Sequence, residues 1–174
     1  MNPVIKLPPF SKSGDLNVII ETPRGCRNKY SYDEKRRVFR LGAVLPAGAV
    51  FPFDFGFIPQ TIGSDGDPLD VLVLMDEPAF CGCLVPARLV GVIEANQTED
   101  GETGRNDRLI AVASDASNHK DIRSVKDLNK HLLEEIEHFF VSYNEARGKK
   151  FKVLGCYGPR KAARLIRKGQ EKRK

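Results

Sequence analysis

The sequence predicts an α+β domain in which an antiparallel sheet or barrel of short strands is flanked by helices, and three observations carry that expectation. Up to about residue 115, short apolar and β-branched runs are broken repeatedly by Gly, Pro, Asn and Asp. Beyond residue 124 the apolar residues recur at three- and four-residue spacings instead, the period of a helix face. Strands and helices do not alternate along the chain, which argues against a βαβ-built parallel sheet.

Taken in order, Asn17 to Glu21 is a β-branched apolar run, Lys29 to Asp33 alternates, and Arg36 to Leu41 follows after a turn. Phe51, Phe53, Phe55 and Phe57 recur with period two, so an extended segment here places the rings on one face and Pro52, Asp54 and Gly56 on the other. Val71 to Leu74 is continuously apolar. Leu84 to Ala95 and Arg108 to Ala113 complete the set, joined by a polar turn from Asn96 to Asp107. Ser124-Val125-Lys126-Asp127 fits a capping box, in which the two side chains satisfy orphan amides of a first helical turn. Behind it Val125, Leu128, Leu132, Ile136, Phe139, Phe140 and Tyr143 form one stripe that ends at Gly148. Phe151 to Cys156 reads as a last strand. Gly158-Pro159 opens a shorter helix with Pro at its first position, closed by Gly169.

A chain of 174 residues fits one domain, with 41% hydrophobic and 29% charged residues as in a soluble folded protein. No apolar run approaches the roughly 20 residues that span a bilayer. The start, Met1-Asn2-Pro3-Val4-Ile5-Lys6, lacks the features of a signal peptide, so a cytoplasmic protein with no membrane partner is expected. Cys26, Cys81, Cys83 and Cys156 match no zinc spacing and read as free thiols. The net charge of +5 is unevenly spread: the stretch from Arg160 to Lys174 carries +7, leaving −2 on the rest. That concentration in a basic tail, about 169–174, argues for a solvated helix end and against a groove that tracks nucleic acid.

Chemistry concentrates at Asp65-Gly66-Asp67-Pro68-Leu69-Asp70. Three carboxylates this close repel and raise one another's pKa, a cost that a hard divalent cation such as Mg2+ offsets. Taken alone, the cluster fits an ordinary solvated turn equally well. Its company adds weight: Lys29, Arg40 and Arg108 are bases suited to phosphate oxygens, and a phosphate-rich substrate needs both acids for metal and bases for oxygen.

Asp65-Gly66-Asp67-Pro68-Leu69-Asp70-Val71 resembles, residue for residue, the signature of the family I soluble inorganic pyrophosphatases. Further stretches agree in order, among them Val18-Ile19-Ile20-Glu21-Thr22-Pro23, Asn28-Lys29-Tyr30, Gly56-Phe57-Ile58-Pro59 and His138-Phe139-Phe140 with Tyr143. The resemblance covers about residues 16–145. It implies a five-stranded, OB-like antiparallel barrel flanked by two helices, assembled as a homo-oligomer, a hexamer in bacteria, that uses magnesium to split pyrophosphate into two phosphates. Carried onto this chain, it implies Asp65, Asp67 and Asp70 as metal ligands and Asp67 also as the group that takes a proton from the attacking water. It implies Lys29, Arg40, Arg108 and Tyr143 as phosphate-binding residues and Glu21 as an acid near the site. Glu99 and Asp107 complete the expected metal ligands, with Asn106 as the rival to Asp107. Alternatives are a related phosphoanhydride hydrolase and an inactive binding module of the same architecture.

Four positions depart from the family pattern: Ser31 in place of a glutamate, Phe51 and Phe55 in place of tyrosines, and Asn144 in place of a lysine. A phenyl ring keeps packing and loses the hydroxyl donor, so Phe51 and Phe55 are expected in the core. Lys149 or Lys150 is expected to restore the lost cationic reach. His119, His131 and His138 are expected to take no part, because magnesium prefers oxygen.

Overall fold

Every strand expected from the sequence forms, because the apolar runs carry enough β-branched side chains to fill a pleated, buried surface. The structure is a computed structural model and describes residues 3–173; Met1, Asn2 and Lys174, the last residue of the expected basic tail, lie outside the described residues. A short α1 (Pro3–Lys6) precedes β1 (Leu16–Thr22), β2 (Asn28–Asp33), β3 (Val38–Val44), β4 (Asp54–Phe57) and β5 (Asp70–Leu74). There follow β6 (Leu84–Glu99), β7 (Glu102–Arg105), β8 (Arg108–Ala113), α2 (Lys130–Glu145), β9 (Lys150–Tyr157) and α3 (Pro159–Arg173).

Pairing runs β1-β4-β5-β8-β6, and β1 pairs again with β6, which closes a five-stranded barrel. Four seams of that ring are antiparallel; the seam between β5 and β8 is parallel. A wholly antiparallel barrel, as expected from the sequence, cannot close on five strands. Directions that alternate around an odd-numbered ring must agree at one seam. The long β6 serves one seven-stranded sheet twice: its first half closes the barrel, and its second half pairs with β9 and β7. The hairpin of β2 and β3 stands apart as a two-stranded sheet.

Strands β1, β4 and β8 are buried along their whole length, and the core they form with β5 and β6 continues under α2 and α3 through Ile136, Phe140, Ala162 and Ile166. The aromatic run departs from its expected single face. Phe51 and Phe55 pack together at 5.4 Å, Phe57 stacks on Tyr32 of the hairpin, and Phe53 meets His119 edge-on. Regular β structure begins only at Asp54, after Pro52, so alternation does not hold across the whole run.

Three further local expectations are corrected. The segment from Asn96 to Asp107 is a hairpin of β6 and β7, whose Asp100 and Gly101 both have positive φ, as a tight two-residue hairpin turn requires. The capping box at Ser124 and Asp127 is present, yet it caps a 3-10 turn, Val125–Asp127; Leu128 is extended, and Asn129 caps α2 by accepting from the His131 amide at 2.8 Å. Helix α3 runs through Gly169 to Arg173. Gly169 is present for close approach: a Cβ there meets Leu69 at 3.0 Å and Thr61 at 3.2 Å, and its carbonyl accepts from the Ile62 amide. The basic tail is therefore the last turn of a docked helix as far as Arg173, whose guanidinium pairs with Glu34 at 3.1 Å.

Candidate active site

The acidic loop is braced before it does any chemistry. Buried Thr61 donates to the Ile58 carbonyl at 2.7 Å and accepts from the Leu69 amide at 3.0 Å, which pins the entry to β5. The Gly63 amide donates to the Asp67 carbonyl, the Asp67 amide donates to Asp65 Oδ1 at 3.2 Å, and Gly66 takes the left-handed conformation with φ 90°. Asp70, as the first residue of β5, inherits the rigidity of the barrel. Asp65, Asp67 and Asp70 thereby line one cleft of about 850 Å³. Burial away from water and then repulsion from Asp70 push the carboxyls of Asp65 and Asp67 above the usual carboxylate range.

Glu21 reaches the same cleft through an irregularity of the sheet. Ile20 pairs with Gly56 and Thr22 with Phe55, which leaves Glu21 as the extra residue of a β-bulge and re-aims its side chain. Its buried carboxylate accepts from the Tyr32 amide at 2.7 Å and lies 3.8 Å from Lys29 Nζ. Burial outweighs both contacts and raises its pKa to about 7.

The bases enter from two sides. On the hairpin, Lys29 lies over the Phe55 ring at 5.1 Å, within 3.5 Å of Ser31 Oγ, and the largely exposed Arg40 sits 3.8 Å from Asp33. From β8, the buried Arg108 donates to Asp70 at 2.6 Å and to Asn106, between the rings of Phe140 and Phe151 at 5.5 Å each. Its Nε is buried with no hydrogen-bond partner among the described residues. Tyr143, on α2, lines the cleft while its ring stacks on Phe139 and its hydroxyl accepts from Arg147.

The expected ligand Asp107 does not face this cleft. Its carboxylate accepts from the Ala95 amide at 3.0 Å and pairs with Arg105 at 2.9 Å, in a small recess behind Asp65. Asn106 and Arg108 line the cleft, as alternation of an extended chain dictates once Asp107 points to the opposite side. Glu99 lies on the cleft wall in an ion pair with Lys149 at 2.7 Å. Among the described residues, no three His, Cys, Asp or Glu side chains are gathered closely enough to hold an ion by themselves.

Of the four departures, Ser31, Phe55 and Asn144 line the cleft, Asn144 being buried with its Nδ2 donating to the Phe140 carbonyl, and Phe51 is buried against Phe139 and Tyr143. Lys149 lines the cleft, whereas Lys150 is exposed on β9 outside the cleft lining. The four cysteines are free, His131 pairs with Glu135 and His138 with Ser142, and no histidine is among the cleft residues. Sequence reasoning missed Arg147 and Arg173, both on the cleft wall. Arg147 was legible in principle, four residues beyond Tyr143 and so on the same side of the helix end. Arg173 was not, because only the docking of α3 brings it there.

Known proteins share the family and the overall fold of this chain. A family model described as inorganic pyrophosphatase matches residues 18–174. The inorganic pyrophosphatase of Halalkalibacterium halodurans is 42% identical over 151 residues, covering 87% of this chain and 90% of the relative. That of a Synechocystis species is 39% identical over 150 residues, covering 86% of each. The crystal structure of inorganic pyrophosphatase from Thermus thermophilus superposes with a TM-score of 0.89 at 33% identity, covering 99% of both chains. The Helicobacter pylori inorganic pyrophosphatase gives 0.87 at 33% identity over 97% of this chain and 98% of its own.

Proposed function

The chain belongs to the inorganic pyrophosphatase family, and we propose that it hydrolyses inorganic pyrophosphate to two phosphates in the acidic cleft with magnesium as its metal. One observation carries the assignment of the site: a braced loop presents Asp65, Asp67 and Asp70 to the same cleft that receives Lys29, Arg40, Arg108 and Tyr143. Acids for a metal and bases for phosphate oxygens face each other across it, as a polyanionic substrate bound through a cation requires.

The residues fit a magnesium ion. The donors are hard oxygens, and Asp65 and Asp67, raised first by burial and then by repulsion from Asp70, are carboxyls whose charged form a divalent cation would stabilise. Asp65, Asp67 and Asp70 would supply oxygens to it from one loop and Glu99 from the cleft wall, water and phosphate oxygens completing the shell, with the Asn106 amide oxygen on the cleft where Asp107 had been expected. When bound, magnesium lowers the pKa of a water ligand and neutralises pyrophosphate. Asp67, on the same braced loop as Asp65 and Asp70, takes the proton of the attacking water. Lys29, Arg40 and Arg108 hold phosphoryl oxygens in place. Arg108 is pre-positioned by its aromatic walls and by Asp70, and its partnerless Nε supports an anion-binding role. The Tyr143 hydroxyl completes the grip.

A related phosphoanhydride hydrolase or an inactive binding module is not favoured, since the family match spans residues 18–174 and all three acids are retained in the cleft. We further infer a cytoplasmic homo-oligomer, hexameric by the family resemblance; exposed Val38, Leu41 and Val44 on β3 support an interface there. Among the described residues no helix is long and apolar enough to cross a membrane. Phosphate release from pyrophosphate is the test: turnover with magnesium that chelation abolishes is expected. Absence of turnover with magnesium, manganese and zinc alike refutes the proposal.

A further inference from the structure

The cleft's basic side chains are mostly matched by carboxylates: Lys29 by Glu21, Arg40 by Asp33, Arg108 by Asp70, Lys149 by Glu99 and Arg173 by Glu34. Arg147 is different. Among the described residues no carboxylate lies within ion-pairing distance of it. Its Nη1 donates instead to the Tyr143 hydroxyl, and its guanidinium carbon stands 5.3 Å from the centroid of that ring. Lys35, exposed like Arg147, also has no carboxylate partner among the described residues, but no side-chain hydrogen bond fixes its ammonium there.

A guanidinium carries five donors in a planar fork, so one bond to Tyr143 orients Arg147 and leaves an edge free. Stacking on the ring restricts the fork further, and a restricted fork loses less entropy when it grips an anion. The neighbouring Asn144 offers no charge to this wall, because it is buried and its Nδ2 is committed to the Phe140 carbonyl. Two residues on, Lys149 is held by Glu99 at 2.7 Å. Arg147 is therefore the oriented and uncommitted cation on the α2 side of the cleft.

We propose that Arg147 is a substrate-binding residue that grips a terminal phosphate of pyrophosphate from the α2 wall, together with the Tyr143 hydroxyl. The inference rests on the pyrophosphate reading of the cleft. It adds a residue just past the end of α2 to those already assigned, and it places the cationic grip of this wall at position 147 instead of 144.

The test compares R147Q and R147K with the full-length protein in magnesium. It measures kcat and KM for pyrophosphate, equilibrium binding of non-hydrolysable imidodiphosphate by calorimetry, and the thermal midpoint. R147Q is expected to raise both KM and the imidodiphosphate Kd by about tenfold, equivalent to ~1.4 kcal/mol, with kcat within about twofold of the parent. R147K, which keeps the charge and loses the fork, is expected to lie between. Unchanged KM and Kd in R147Q overturn the proposal. So does a lowered thermal midpoint with affinity intact, the sign of a basic residue serving only the helix end. Should the parent bind imidodiphosphate through Arg147 yet release no phosphate, the hydrolytic reading fails while the binding role of Arg147 stands.

Discussion

Replacing Glu21 by Gln isolates a single buried carboxyl whose proton is linked to folding. Glu21 is 7% exposed, and burial raises its pKa from 4.5 to about 7 despite Lys29 and the Tyr32 amide. A raised acid binds its proton more tightly in the folded state. The stability it contributes is therefore complete below the unfolded value of 4.5 and is lost as pH rises through about 7. Each tenfold gain in proton affinity on folding corresponds to ~1.4 kcal/mol, so the full excursion from about pH 4 to about pH 8 is about 3 kcal/mol. Gln imitates the protonated acid: its carbonyl still accepts from Tyr32, and it does not ionise. The assay is urea unfolding of the metal-free protein in chelator, for the parent and E21Q, from about pH 4 to about pH 8. The parent-minus-variant difference should decline by about 3 kcal/mol as pH rises, with its steepest change between about pH 5 and about pH 7. Asp65 and Asp67, whose carboxyls are raised too, titrate in both proteins and largely cancel in the difference. Parallel curves would refute the reasoning, since they would mean that the Glu21 proton is not coupled to folding.

Other expectations follow from the same geometry. D67N should lower kcat by about 10²- to 10⁴-fold, the usual worth of a positioned proton acceptor, with magnesium-dependent imidodiphosphate binding largely retained; phosphate release and calorimetry check the two halves. G56A should fail to fold or should unfold on mild warming, because its Cβ would lie 2.0 Å from the Ile19 carbonyl oxygen across the β1–β4 seam; thermal denaturation followed by circular dichroism decides. R173E should loosen the contact between α3 and the hairpin, and E34R placed in the same chain should restore it. The coupling between these partly exposed partners should be at most about 1 kcal/mol in a double-mutant cycle of unfolding free energies.

The acidic loop was legible because its chemistry is local: three acids within six residues, held by a glycine and a proline, make a short-range pattern that survives without knowledge of the fold. The same holds for β1, β5, β8 and β9, whose apolar runs set them within a residue or two, and for β2, set as closely by its alternation. Asp107 and Asn106 show where that legibility stopped. Charge favoured Asp107, spacing to Arg108 favoured Asn106, and only the direction in which each side chain leaves an extended backbone separated them. Glu21 is a second case, because the bulge that turns it into the cleft is a mismatch between β1 and β4 that neither strand displays alone.

The sequence by itself determined the strand-rich architecture, the family resemblance and the acids at 65, 67 and 70, since these depend on periodicity and on residues adjacent in the chain. Tertiary structure decided the rest. A closed ring of five strands forced one parallel seam, β5 to β8, on a barrel that local pattern describes as antiparallel. The docking of α3 against Thr61 and Leu69 turned a basic tail into part of the cleft wall at Arg173. Pairing of charges from distant segments left Arg147 uncommitted while its neighbours were engaged. Each of these outcomes depends on which surfaces meet in space, a relation that no window along the chain contains.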